Sequence, residues 1–305
     1  MLVLLALVWG VHWVVVKEGL HYFPPLTYAA LRIGTALLTM VAILAPVRNL
    51  HRPDRADAPI IFSVALLQIA AGVLIMNFAL QAVPAGRSSV LVYTMPLWVA
   101  LILWLRFRVV PKRAELVGLI LGITGVVILV NPTVIDWTVP AELAGTLALI
   151  GNGILWAIVT IHIRRHTWHG TPLALQPWML LVALLPVLAA ALLLESGRPI
   201  RWELASILIL AYSGPLATAF AFWASQSITR ALGPIASAMG FLATPIVGLV
   251  AGALILGEKL GPADIVGFGL VVAGIAAASL LPALRPAQPS TTGAPVPGAT
   301  SVSAD

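Results

Sequence analysis

Apolar stretches about twenty residues long recur along nearly the whole chain, and that recurrence dictates its solvent. Ten of them stand at roughly 2–20, 26–46, 59–81, 88–106, 114–131, 141–162, 173–194, 203–225, 234–256 and 262–281. Each is near the length that crosses a hydrocarbon core of about 30 Å. Of 305 residues, 60% are apolar and 9% charged. No water-soluble core could bury that much apolar surface, so the surroundings must be lipid. The expected fold class is all-α integral membrane, with ten transmembrane helices. Leu2–Val16 lacks the basic leader and small-residue cleavage site of a secretory signal, and is expected to be a first span.

The net charge of +6 would point to nucleic acid in a soluble chain. In a membrane protein, Lys and Arg collect in the cytoplasmic loops and give the same excess. With the N-terminus inside, those loops and the tail hold Arg48, Arg52, Arg55, Arg106, Arg108, Lys112, Arg113, Arg164, Arg165, Arg230 and Arg285. The outer loops hold Lys17, Arg87, Arg198, Arg201 and Lys259. This asymmetry places both termini in the cytoplasm and removes the case for nucleic acid. The chain has no cysteine, which excludes disulfides, thiolate catalysis and Cys-based metal sites. Residues 282–305, rich in Pro, Ser, Thr and Ala, read as a disordered cytoplasmic tail.

The two halves repeat. Sliding residues 77–131 forward by 149 lays them, without a gap, on residues 226–280. Ala82 then meets Ala231, Ser88 meets Ser237, Pro96 meets Pro245, Gly118 meets Gly267 and Gly125 meets Gly274. Trp9 meets Trp156 at an offset of 147. The reading is a first five-helix repeat over 1–131, an outer connecting loop over 132–140 and a second repeat over 141–281. An odd number of spans per repeat makes the second half enter the membrane inverted. Inverted repeats around a central cavity are the architecture of secondary transporters, with the solute site near the midplane.

Three phrases carry a resemblance to a known family. WGVHWVVVKEGLHYFPPLTYAALRIG, NFALQAVPAGRSSVLVYTMPLWVAL and the latter's echo ALGPIASAMGFLATPIVGLVAGALILGEKLGPADIVGFGLVVAGI resemble EamA-type, ten-helix members of the drug/metabolite transporter superfamily. The resemblance covers about residues 1–281. It implies a bacterial inner-membrane exporter of small metabolites, often amino acids, with a basket-like bundle around a central cavity. The YddG-like amino-acid exporters are the branch to compare first. One departure is Glu258 in LGEKL, whose counterpart in the first repeat is Val109; no duplicated role can rest on that position.

Polar groups inside lipid are costly unless they face a cavity or a partner, so each is a candidate site. Trp9, His12, Trp13 and Val16 lie at i, i+3, i+4 and i+7, one face of a helix. The stripe could line a cavity, or the imidazole could serve a neighbouring helix. Arg32 is the arginine deepest in a span and lies near the depth of His12 on the adjacent antiparallel helix. It could take a substrate carboxylate in bidentate fashion, or clamp backbone carbonyls. Asn77 and Gln81 share a face of span 3, and the repeat sets Gln226 opposite Asn77. Thr218, Phe222 and Gln226 form a stripe on span 8. Tyr93, Trp98 and Trp156, with Ser89, Asn152 and Thr160, complete the candidates. The alternative for the polar ones is interhelical bonding. His162, His166 and His169 have helical spacing, but interleaved arginines favour a solvated loop over a metal site.

All eleven acidic residues fall at span ends, in loops or in the tail, away from the position of a carboxylate proton relay. No P-loop is present, and no cofactor is implied. The expected function is facilitated, alternating-access export of a small amphipathic solute, most directly an aromatic or hydrophobic amino acid. Proton coupling through His12 and a channel-like pore are the alternatives. A membrane enzyme would want clustered acids, and His51-Arg-Pro-Asp54 alone does not supply them.

Overall fold

In the computed structural model the described residues are 1–48, 50–110, 113–129, 139–231 and 234–280. They are helical almost throughout, with no strand among them. The helices are α1 (Leu2–Gly19), α2 (Pro25–Leu44), α3 (Ala58–Ala79), α4 (Ala85–Phe107) and α5 (Arg113–Leu129). Then follow α6 (Pro140–Arg165), α7 (Pro172–Leu194), α8 (Leu204–Ala231), α9 (Pro234–Ile255) and α10 (Pro262–Leu280). Seven, α1 to α4 and α6 to α8, are long and apolar enough to cross a membrane. The described parts of α5, α9 and α10 give shorter apolar stretches. Most of the expected outer loop, 132–140, and all of the tail, 282–305, lie outside the described residues.

Proline starts many of these helices. Pro25, Pro140, Pro172, Pro234 and Pro262 each stand at a first position, where the absent N–H costs nothing and φ is already helical. Inside the helices the backbone departs from α geometry at related places. A π-helical segment occupies Val64–Ala70 of α3, and another occupies Tyr212–Phe220 of α8. α4 is broken between Val92 and Met95, just before Pro96. α9 runs unbroken through Pro245, the residue that the sequence alignment of the halves pairs with Pro96, so the two prolines have unequal effects.

The main packed pairs are α5 with α10, α2 with α7, and α4 with α9; α1 packs on α9 as α6 packs on α4. α2 lies on α8 as α7 lies on α3, and α3 on α6 as α8 on α1. The α5–α10 seam is made of glycine. A Cβ on Gly125 would lie 2.6 Å from the Gly267 carbonyl, and one on Gly274 would lie 2.6 Å from the Gly122 nitrogen. These backbones touch because no side chain keeps them apart. Leu38, Leu105, Leu193 and Leu254 are exposed on the outer surface, a face that only lipid or another apolar surface can cover.

Carboxylates close several helix ends. Glu258 accepts from the backbone N–H of Ala85 and Gly86, at 2.6 and 2.9 Å, and pairs with Lys17 at 3.0 Å. It thereby ties the α9–α10 loop to the start of α4 and the end of α1. Beside it, Arg87 reaches Glu142 at 2.8 Å and Asp264 at 3.2 Å. Glu258, which the sequence alignment of the halves pairs with Val109, is therefore a fastening on one face of the bundle. Glu195 takes the N–H and hydroxyl of Thr27 at the start of α2. Asp57 takes the N–H groups of His169 and Gly170 ahead of α7, and His166 Nε2 at 3.0 Å. His162 Nδ1 lies 2.7 Å from the Ser63 hydroxyl. Two of the three spaced histidines are thus engaged with helix-end partners.

Glu258→Ala should lower unfolding free energy in detergent by about 1–3 kcal/mol, the usual size of a lost cap and charge-assisted bonds. Gly274→Val should lower the melting temperature further, because its methyls would meet backbone rather than movable side chains. Thermal unfolding followed by size-exclusion chromatography checks both; unchanged melting of Gly274→Val would contradict the seam.

Candidate functional site: a cavity holding an arginine without a carboxylate

Arg32 is 3% exposed, within α2. Its Nε donates to the Thr218 hydroxyl at 2.7 Å, and Nη1 lies 3.7 Å from Met76 Sδ. Among the described residues it has no carboxylate partner. Thr218 belongs to the π segment of α8 and passes its own proton to the Ser213 carbonyl at 2.7 Å. That bond spans five residues, the spacing of a π turn, so the wide turn turns the hydroxyl oxygen to the guanidinium. The Tyr28 and Ser213 hydroxyls lie 2.8 Å apart and join α2 to the same segment.

Arg32 opens on a cavity between the halves. Its walls include Trp9, His12 and Trp13 of α1, Gln68, Gly72 and Met76 of α3, and Tyr93 at the break in α4. Asn152 and Trp156 of α6 and Phe222 of α8 complete much of the lining. Trp9, Trp156 and Phe222 form one aromatic cluster, with ring centroids 5.3 to 5.7 Å apart and Trp9 edge-on to both others. The Trp9 indole donates to the Ala217 carbonyl at 2.9 Å, which orients that ring. The cavity contains about 50 Å³ of solvent-accessible space, room for a few waters.

The sequence candidates divide between wall and scaffold. His12, Trp13, Arg32, Tyr93, Trp156 and Phe222 line the cavity. His12 is 2% exposed, and its Nε2 has no hydrogen-bond partner. Tyr93 is bonded through its hydroxyl to Thr244 of α9. Thr218 stands behind Arg32 rather than in the wall. Asn77, expected to face the cavity, instead donates through Nδ2 to the Pro25 carbonyl at 2.9 Å, joining α3 to the start of α2. Gln226 donates to Gln176 of α7 at 3.0 Å. Both symmetric amides thus bridge helices outside the lining. Gln81 is exposed in the turn after α3, 3.5 Å from the Phe78 carbonyl. Trp98 bonds the Thr94 hydroxyl at 3.0 Å, one turn back, outside the wall.

Sequence reasoning did not single out Gln68, Gly72 or Met76. They recur every four residues on one face of α3, and Gln68 is a lone amide in an apolar run. That spacing is the signal available in the sequence.

The chain belongs to the EamA-like transporter family, whose description matches residues 1–131 and 143–280. It is a membrane transporter with several spanning helices. A protein named as a probable amino-acid metabolite efflux pump of Salmonella typhimurium (strain LT2) is 27% identical over 288 residues, covering 89% of this chain and 91% of its own. The uncharacterized transporter YoaV of Bacillus subtilis (strain 168) is 26% identical over 271 residues, 88% of this chain and 92% of its own. The uncharacterized inner membrane transporter YedA of Escherichia coli (strain K12) is 24% identical, covering 93% of this chain and 91% of its own. A protein of known crystal structure shares the fold with a TM-score of 0.63 at 17% identity, over 91% of this chain and 98% of that one.

A buried charge without a counter-ion is unfavourable. Arg32→Met should therefore leave thermal stability unchanged or raise it. A fall of many degrees would make Arg32 a structural clamp instead.

Proposed function

We propose that the protein is a ten-span secondary transporter of the inner membrane that exports small amphipathic acids, most directly aromatic or hydrophobic amino acids. The observation that carries this is the guanidinium of Arg32 in a cavity whose lining contains no Asp or Glu among the described residues. An anionic group on the solute completes it by charge-assisted hydrogen bonds. The cluster of Trp9, Trp156 and Phe222 supplies the surface for an apolar side chain. The efflux-pump name of the Salmonella relative is in keeping with this substrate class.

The halves over 1–131 and 141–281 act as two inverted five-helix repeats, with both termini cytoplasmic. Two observations support that division. The packed helix pairs map onto themselves when α1–α5 are exchanged for α6–α10, and the family match falls into the same two segments. A cavity between inverted repeats suits alternating access. Transport runs down the solute gradient, because among the described residues no carboxylate stands in the wall to carry a proton. The alternative is His12, the imidazole among the described lining residues, whose Nε2 is buried and unpartnered; it favours a proton-coupled carrier as the second reading.

Proteoliposomes preloaded with a panel of amino acids test the proposal. Saturable counterflow is expected, equal with and without a pH gradient, and reduced at least tenfold in folded Arg32→Met. A pH-driven component that disappears in His12→Ala would establish the second reading. Flux without saturation would make the protein a channel.

A further inference from the structure

Two amide oxygens of the cavity lack a hydrogen-bond partner: Oε1 of Gln68 and Oδ1 of Asn152. Their side chains are 2% and 3% exposed. A buried carbonyl oxygen left unpaired is unfavourable, and each such oxygen calls for an explanation. The orientation of Asn152 is set by its other atom. Nδ2 donates to the Gly72 carbonyl at 3.4 Å, which leaves Oδ1 free. A Cβ on Gly72 would stand 3.3 Å from that oxygen and 3.2 Å from the Trp156 indole nitrogen. The missing side chain at Gly72 is what keeps the approach to Oδ1 open.

α3 acts as a ruler along the site. Gln68, Gly72 and Met76 all line the cavity at four-residue intervals. Asn152 meets the helix at Gly72, and the Arg32 guanidinium meets it at Met76. Four residues of helix rise roughly 6 Å. Along α3 the Asn152 contact is thus about one turn from the Arg32 contact, and Gln68 stands one turn further on.

We propose that Gln68 and Asn152 form an acceptor subsite for the ammonium group of a solute whose carboxylate sits on Arg32. This rests on the cavity being the transport site, and it names the residues that choose among acids there. An α-amino acid carries its ammonium one carbon from its carboxylate. With a hydrogen bond of about 2.9 Å at each end, that short unit matches a spacing of roughly one helical turn, the interval between the Asn152 and Arg32 contacts along α3. Its side chain is left facing the aromatic cluster. The Trp156 ring beside Asn152 adds a π surface suited to a cation. An acid without an amine would satisfy Arg32 and leave both amide oxygens unpaired. Neutral oxygens suit this role beside Arg32, because a carboxylate there would pair with the guanidinium and close the site to the substrate.

The test is competition for counterflow of labelled phenylalanine in proteoliposomes containing the full-length protein. The competitors are phenylalanine and its amine-free analogue 3-phenylpropanoate. Wild-type protein should prefer phenylalanine by about tenfold or more, the worth of hydrogen bonds to a charged group. In Gln68→Met and in Asn152→Leu that ratio should fall to within a few-fold. Melting temperature monitors folding of both, and Gln68→Met, close in volume, carries the test if Asn152→Leu fails to fold. A wild-type ratio near one, or variants that transport with the ratio intact, would overturn the subsite while leaving the transporter reading in place. Absence of counterflow with every amino acid in the wild type would instead overturn that reading, and the subsite with it.

Discussion

A guanidinium held inside an apolar bundle, with a hydroxyl and a thioether for neighbours, is the constraint around which this site is arranged. Burial removes water from Arg32, and a charge so placed must be met by oriented dipoles or by a visiting anion. The dipole comes from Thr218, and Thr218 is in position because α8 widens into a π turn where its hydroxyl bonds Ser213. π segments arise often at functional sites because they interrupt the regular ladder. Here the interruption serves a charge. The same segment accepts the Trp9 indole at Ala217 and meets Tyr28 at Ser213, so α1 and α2 are both referred to one stretch of α8.

The ends of the helices are organised by a second set of charges. Lys17, Arg87, Glu142, Glu258 and Asp264 draw α1, α4, α6 and α10 together at one face of the bundle. The opposite face has Asp57 beneath α7, with His166. Val109, the first-repeat counterpart of Glu258, offers no carboxylate. Positions paired by the sequence repeat thus have unequal fastenings. The inequality comes from side chains rather than from the helix packing.

Much of the architecture could be read along the chain. The stretches 2–20, 26–46 and 173–194 stand as Leu2–Gly19, Pro25–Leu44 and Pro172–Leu194, because apolar length and a proline at the start leave little freedom in lipid. Six of the eleven candidate residues line one cavity, His12 and Arg32 among them, since both were placed by depth on adjacent helices. The amides were harder. Asn77, Gln81 and Gln226 were chosen by symmetry between the halves, whereas Gln68 on α3 and the full weight of Asn152 on α6 were passed over. Both faces of α3 are buried in the bundle, one toward α6 and the other toward α2 and α7. Burial and polarity alone cannot tell such faces apart.

By itself the sequence determined the solvent, the helices and the repeat of apolar and glycine-bearing segments, because these follow from local hydrophobicity and backbone chemistry. It also singled out an imidazole and a guanidinium, His12 and Arg32, that both line the cavity. Only the tertiary structure decided which amides are mortar and which are wall. All four amides leave a buried oxygen without a partner, but Asn77 and Gln226 lie between helices, donating to the Pro25 carbonyl and Gln176, while Gln68 and Asn152 line the cavity. That difference depends on which face of each helix the packed bundle turns toward the cavity, which no local pattern encodes.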